Sequence, residues 1–333
     1  MNSSVDVTQP VDLPTALERA SVLVVPALDA ALALISPELR APIAHHLASG
    51  GKRLRAALVL VAARAAGADE AVGVPGAVAI ELIHNFSLLH DDIIDGDTDR
   101  RHRPTVWAEF GVGQAIIAGD ALAALATQVL MNPLTDARVR AAALLADATQ
   151  AMIAGQASDM AFEARGTVSV DECLAMAAGK TGALLACSTA MGATLAGAPP
   201  ATVDALADFG HHLGVAFQAI DDILGIWGDP ERTGKPVGND LIQQKKSIPV
   251  AFALDRADAR RGELTKLLAG ALDRAGVLEA TRIIEECGGR DETTAVADKE
   301  LDLALAALDS VDLDPGPRAE LVGIARFVTD RDR

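Results

Sequence analysis

The chain has 333 residues, half of them hydrophobic, and a formal net charge of -17. That charge excludes a nucleic-acid partner, since gripping a phosphate backbone needs a basic face. It also means that any phosphate-bearing substrate would need bridging metal or local basic patches. Cys173, Cys187 and Cys287 are widely spaced with no C-x-x-C, so they form neither a disulfide framework nor a zinc site. Buried free thiols in a reducing, cytoplasmic setting are expected.

Residues 1–12 are polar and acidic and read as a disordered lead rather than a signal peptide. Asp12 or Thr15 caps a first helix running to about Ile35, and Pro37 and Pro42 then punctuate the chain. Ser49-Gly50-Gly51 makes a turn into a helix over 52–66. After Gly67, Gly73 and Pro75 comes a long apolar helix over 76–95, followed by a basic loop around Pro104. Helical patterns resume at 112–130, 137–164, 171–196, 202–227, 240–257, 260–286, 292–308 and 315–330. Ala and Leu dominate, with no strand alternation, linker or repeat. The expectation is an all-α chain, a single-domain multi-helix bundle around a central cavity over 13–330. No uninterrupted apolar stretch reaches about 18 residues, so no membrane span is expected.

The strongest chemical signal is His90-Asp91-Asp92-Ile93-Ile94-Asp95, at the end of an apolar helix. Asp91 and Asp95 are four apart and share a helix face, about 6 Å from each other. Clustered carboxylates at a helix C-terminus repel one another and oppose the helix dipole. A hard cation resolves the conflict, because Mg²⁺ takes one or two carboxylates and completes its shell with water and substrate phosphates. A second pair, Asp221-Asp222, ends another apolar helix with Gln218 one turn earlier. The two pairs are expected to face each other across a cavity.

Basic residues surround these motifs in sequence: Lys52, Arg53 and Arg55 after Gly50-Gly51, then Arg100, Arg101 and Arg103. Lys180-Thr181, Lys235 and Lys245-Lys246 follow further along. An isolated Lys is usually a solvated surface charge. Their recurrence beside the acidic motifs points instead to anion binding, helped by free backbone N–H groups at a helix start.

In this order the chain resembles the trans-polyprenyl diphosphate synthases, which include farnesyl and geranylgeranyl diphosphate synthases. The blocks are GGKRLR, LLHDDIID with RRHRPT, AGDALAALA, Lys180-Thr181-Gly182, and FQAIDDILGIWGD with TGKPVGNDL and KKS. They run from about Gly50 to Pro249. The resemblance implies an isoprenoid synthase-like fold, a homodimer, and condensation of isopentenyl diphosphate with an allylic diphosphate. It implies three Mg²⁺ per active site, two on Asp91 and Asp95 and one on Asp221. Arg100, Lys180 and Lys235 would contact the allylic diphosphate, while Lys52, Arg55, His84 and Arg101 would hold isopentenyl diphosphate. Thr181 and Gln218 would line the reacting region on the allylic side, and Lys245 would help close it.

Three positions depart from the family pattern. Ala56 replaces a usual Pro, His102 a common Gly, and Gly225 the usual third Asp of the second motif. With Gly225 unable to bind metal, Asp222 or Asp229 is expected to support Asp221 through water. Phe86 and Ser87 precede the first motif and are expected to set product length. An aromatic five residues before Asp91, with no larger block next to it, resembles a geranylgeranyl diphosphate synthase and implies a 20-carbon product.

Two alternatives are a class I terpene cyclase, suggested by the Asp221/Gly225/Asp229 spacing, and a non-catalytic partner of an active synthase. The persisting isopentenyl diphosphate residues and an aromatic content of 3% argue against the cyclase. The intact first acidic motif argues against the non-catalytic subunit.

Overall fold

The structure, a computed structural model, describes residues 13–229, 237–255 and 259–329. The 1–12 lead lies outside the described residues. The chain runs through α1 (Leu13–Leu32), α2 (Pro37–Leu47), α3 (Leu54–Ala65), a 3-10 turn (Glu70–Gly73) and α4 (Val74–Ile94). Then come α5 (Val106–Phe110), α6 (Val112–Leu130), α7 (Asp136–Glu163), α8 (Val170–Ala177), α9 (Ala183–Leu195) and α10 (Pro200–Trp227). The last are α11 (Asn239–Ile242), α12 (Ile248–Asp255), α13 (Ala259–Leu267), α14 (Arg274–Glu286), α15 (Gly289–Asp309) and α16 (Pro315–Thr329).

Four differences from the sequence reading have local causes. Pro37 does not break the chain but sits at the first position of α2, where a missing N–H costs nothing. The stretch 240–257 splits into α11 and α12, because Gln244 adopts a left-handed conformation between them. The stretch 260–286 splits where Asp273 caps α14 by accepting from Gly276 N–H. A two-residue hairpin pairs Asp99-Arg100 with Arg103-Pro104, so the chain is not wholly without strand. Its turn residues Arg101 and His102 have φ of 52° and 61°, which explains why a Gly suits position 102.

Helix α9 is buried on nearly every side and packs on α3, α7 and α10; α4 packs on α3 and α6. Such all-round burial marks a core helix. One apolar cluster joins α1, α3, α4, α6, α7 and α9 through Val24, Leu60, Ile80, Leu122, Leu145 and Met191. A second joins α3, α10, α15 and α16 through Leu58, Phe209, Leu308 and Ile324. The motif-bearing ends of α4 and α10 are thereby fixed by buried surface on several neighbours.

Length and composition do not exclude a membrane span, contrary to the sequence argument. Segments Glu70–Ile94, Val112–Leu130 and Val170–Leu195 are long and apolar enough to cross one, their most apolar stretches being 56%, 33% and 61% buried within the protein. The least buried of the three, α6, exposes Val112, Ile116 and Ile117, and α7 exposes Val139, Ile153 and Met160.

Candidate active site

Helix α4 carries Asp91 in its last turn, and Asp95 caps it with its N–H donating to Asp91 O at 2.8 Å. Asp95 keeps helical backbone angles, so the two carboxylates share a face as the spacing predicts. Burial pushes the Asp91 carboxyl up to about 6, Lys180 opposes the rise, and the Asp95 charge adds to it. Asp92 points elsewhere. It is buried and accepts from Arg100 Nε at 2.6 Å, and its Oδ2 has no partner among the described residues. Arg100 reaches it from the hairpin directly after the motif.

The second motif divides in the same way. Asp222 is buried; its Oδ2 accepts from Ile248 N–H at 2.9 Å and its Oδ1 from Gln218 Nε2 at 2.8 Å. Asp222 therefore braces the start of α12 against α10. Burial drives its carboxyl up to about 7, against the pull of those two donors. Asp229 stands exposed beyond the end of α10. Asp221 stays half-buried, within electrostatic reach of Arg55.

Lys180 and Thr181 sit in a π-helical turn, Ala178–Gly182, between α8 and α9. Such turns swing side chains out of helical register and recur at functional sites. Thr181 donates to Gln218 Oε1 at 2.7 Å, so Thr181, Gln218, Asp222 and Ile248 form one chain of hydrogen bonds. Lys180 Nζ reaches Asp159 on α7 at 2.5 Å. Burial works to lower the Lys180 ammonium, but Asp159, Asp91 and Asp95 raise it overall.

The sequence reading missed Asp159 and Gln156, whose Oε1 is buried with no partner among the described residues. The signal was available in Gly155-Gln156-x-x-Asp159: two polar side chains one turn apart beside a helix-interior Gly. The Gly has a reason, because a Cβ at Gly155 would stand 2.8 Å from Lys180 Cα and closer still to Lys180 N.

A cationic cluster forms on α3 and the hairpin. Arg55 Nη1 lies 3.3 Å from His84 Nε2, and Arg55 Nε is buried without a partner among the described residues. Burial, then Arg55 and Arg101, hold the His84 imidazolium well below its usual range, so His84 is neutral. Arg101 lies against Gly51, with Nη1 3.3 Å from where a Cβ would stand. The buried Glu81 is the local counter-charge, 3.6 Å from Arg53 and accepting from Ala56 N–H. Burial lowers both Arg55 and Arg101, against the opposing charge of Glu81. Lys52 lies over the Phe327 ring of α16, 5.3 Å from its centroid.

The structure thus gathers Asp91, Asp95, Arg100 and Lys180 in one electrostatic group, and Arg55, His84, Arg101 and Asp221 in an adjoining one. Lys245 is half-buried, its N–H donating to Asp240 O at 2.9 Å. Lys235 lies outside the described residues. Phe86 is half-buried, edge-on to His90 at 4.9 Å, and Ser87 donates to His84 O at 2.9 Å.

Among the described residues no three His, Cys, Asp or Glu side chains form a closed metal cage. The donors are carboxylates in ones and twos beside cationic groups, which fits Mg²⁺ shared between protein and a phosphate-bearing ligand. Nothing in the set is soft enough to favour zinc or copper.

Comparison with known proteins agrees with this chemistry. The family model for polyprenyl synthetase matches residues 36–284. The (2E,6E)-farnesyl diphosphate synthase of Mycobacterium tuberculosis is 43% identical, covering 95% of this chain and 92% of the relative. A geranylgeranyl diphosphate synthase of the same organism is 42% identical, covering 97% and 95%. A polyprenyl synthetase from Streptomyces coelicolor superposes with a TM-score of 0.92 at 45% identity, covering 95% of this chain and 99% of that one. With two carboxylate motifs set among cations, and matches that run almost end to end, this chain belongs to the polyprenyl synthetase family of prenyltransferases.

Proposed function

We propose that the protein condenses isopentenyl diphosphate with an allylic diphosphate and releases mainly the 20-carbon geranylgeranyl diphosphate. The observation that carries the condensation is the pair of adjoining groups. One holds carboxylates with Lys180 and Arg100; the other holds Arg55, neutral His84 and Arg101. A reaction on one diphosphate needs only the first group. Two substrates need both, which disfavours a cyclase.

Asp91 and Asp95 would hold two Mg²⁺ and Asp221 a third. Bound Mg²⁺ supplies charge that stabilises the departing diphosphate. Arg100 and Lys180 grip the allylic diphosphate from the sides, with Lys235 joining them and Lys245 closing over it. Their fixed positions add electrostatic stabilisation where negative charge develops. Thr181 and Gln218, locked by Asp222, keep the π-helical turn facing the reacting carbons. Lys52, Arg55, His84 and Arg101 hold isopentenyl diphosphate so that its alkene meets the allylic cation, and surrounding apolar side chains keep water away. The alkene electrons form the new carbon–carbon bond, and the proton then lost leaves with the diphosphate.

Residues 13–330 would act as one domain. The exposed apolar faces of α6 and α7, Val112, Ile116, Ile117, Val139, Ile153 and Met160, would meet a second copy in a homodimer.

Product length rests on Phe86. It lies about 7.5 Å along α4 from Asp91, at 1.5 Å per residue. Its edge-on contact with His90 holds the ring as a partial floor, while Ser87 leaves room above it. The 43% identity to a farnesyl synthase favours a second reading, a 15-carbon product. Chromatography of products made from isopentenyl diphosphate and each allylic primer separates the two. Ser87→Phe should shorten the product and Phe86→Ala lengthen it; unchanged distributions in both would remove Phe86 as the ruler.

A further inference from the structure

Helix α3 starts without the kind of residue that usually starts a helix. The position before Leu54 is Arg53, whose side chain has no acceptor for the free N–H groups of the first turn and makes no capping bond. Its backbone is left-handed, with φ of 49° and ψ of 36°. That conformation is strained for a residue other than Gly and persists only where the surroundings hold it. Lys52 and Arg55, two of the residues proposed to grip isopentenyl diphosphate, lie within two positions of it.

One carboxylate from another helix supplies both missing supports. Glu81 lies within α4 and is 5% exposed. Its Oε1 accepts from the N–H of Ala56, the third residue of α3, over a long 3.4 Å. Its Oε2 stands 3.6 Å from Arg53 Nη1. Glu81 thus caps the helix that Arg53 cannot cap, and holds the side chain of Arg53 as well. One turn further along the same face of α4, His84 Nε2 lies 3.3 Å from Arg55 Nη1. Arg55 Nε is buried there with no partner among the described residues. Burial raises the Glu81 carboxyl above its ordinary value, and Arg53, Arg55, Ala56 N–H and Arg101 work against the rise.

A buried acid beside a diphosphate site repels the ligand. By repulsion alone, removing it would tighten binding. We infer that Glu81 is a positioning residue for isopentenyl diphosphate: it holds Arg53 and the first turn of α3 so that Lys52 and Arg55 are fixed before the substrate arrives. This rests on the proposed role of Lys52, Arg55, His84 and Arg101. Repulsion and positioning act on binding with opposite signs, so the direction of the change decides between them.

The test is steady-state kinetics of Glu81→Gln, Arg53→Ala and the double variant, each substrate varied in turn with Mg²⁺ present, and thermal melting as the control for folding. Glu81→Gln should raise the KM for isopentenyl diphosphate by about 5- to 50-fold, the ordering cost of one or two long side chains set free at a site. The KM for the allylic diphosphate and kcat should stay within a few-fold of wild type, whereas a general loosening of the fold would move all three. Arg53→Ala should act in the same way. The double variant should be no worse than the worse single change, because both cut one support.

An unchanged or lower KM for isopentenyl diphosphate in Glu81→Gln overturns the inference, and so does a rise matched by the allylic KM. Additive effects in the double variant overturn it too, since Glu81 would then act without Arg53. If Glu81→Gln melts below the assay temperature, Arg53→Ala decides, a selective rise supporting the inference and its lack overturning it. Failure of Lys52→Ala to raise the KM for isopentenyl diphosphate overturns the proposed site itself, and the inference with it.

Discussion

Gly155→Ala tests whether the placement of Lys180 depends on helix contact rather than on Lys180 itself. The new methyl would stand 2.8 Å from Lys180 Cα and 2.9 Å from Gly179 C. Ordinary contact begins near 3.4 Å, so α7 and the π-helical turn must separate by roughly 0.6 Å or more, with no flexible side chain to absorb it. Overpacking of this kind costs about 1–3 kcal/mol of stability. Misplacing a catalytic group by about 1 Å costs on the order of 10² in rate, so kcat should fall by about 10- to 100-fold. The KM for isopentenyl diphosphate should stay near wild type, because its proposed cluster lies on α3 and the hairpin. The control is Gly262→Ala in α13, where a Cβ meets nothing within 4 Å. That change should keep full activity and gain about 0.5–1 kcal/mol. Steady-state kinetics with both substrates varied, together with thermal melting, reads all of this. Wild-type kcat in a folded Gly155→Ala enzyme would refute the claim that this contact positions Lys180.

Asp222→Leu strands the buried Ile248 N–H, at about 1–3 kcal/mol, and takes the acceptor from the half-buried Gln218 Nε2. Asp222→Asn should cost under about 1 kcal/mol, since Gln218 can turn its amide over and let Thr181 Oγ1 accept; urea melts that rank the two equally would contradict this. The Asp222 carboxyl titrates near 7 in the fold against an ordinary 3.8, so the folded state binds its proton more tightly than the unfolded chain does. Its contribution is therefore full below about pH 3.8 and lost as pH rises through 7, and Asp222→Asn should flatten that part of the stability profile. Lys52→Ala or Arg101→Ala should mainly raise the KM for isopentenyl diphosphate, and Lys180→Ala should mainly impair the allylic partner. Equal effects on both substrates would show that the two diphosphate sites are wrongly divided.

Much of the site was legible because its signals are local. Asp91 and Asp95, four apart on one helix, carry their geometry in their spacing, and Lys180-Thr181 stands out inside an Ala-rich segment, though its π-helical turn does not. Helix α6 was readable to its end residues, Val112 and Leu130, since Gly111 and Asn132-Pro133 bracket an unbroken periodic run. What the sequence hid was tertiary. Nothing local in Asp221-Asp222 shows that the second carboxylate also ties Ile248 to Gln218. Asp159 looks like one more surface acid until α7 brings it to Lys180. Nor does any local pattern say that Asp240, 15 residues on, comes to lie where a side chain at 225 would stand. The split of 240–257 was hidden too, since a left-handed Gln244 has no propensity signature.

The central claim is that two carboxylate motifs on different helices serve one condensation. It is tested by the rate at which isopentenyl diphosphate is joined to an allylic primer with Mg²⁺ by wild type, Asp91→Ala and Asp221→Ala. Wild type should yield elongated prenyl diphosphates. Each variant should lose at least about 10² in kcat while keeping its fold by circular dichroism. Near-normal turnover in either variant, or wild type that leaves isopentenyl diphosphate untouched while converting geranylgeranyl diphosphate to a cyclic hydrocarbon, would contradict the account.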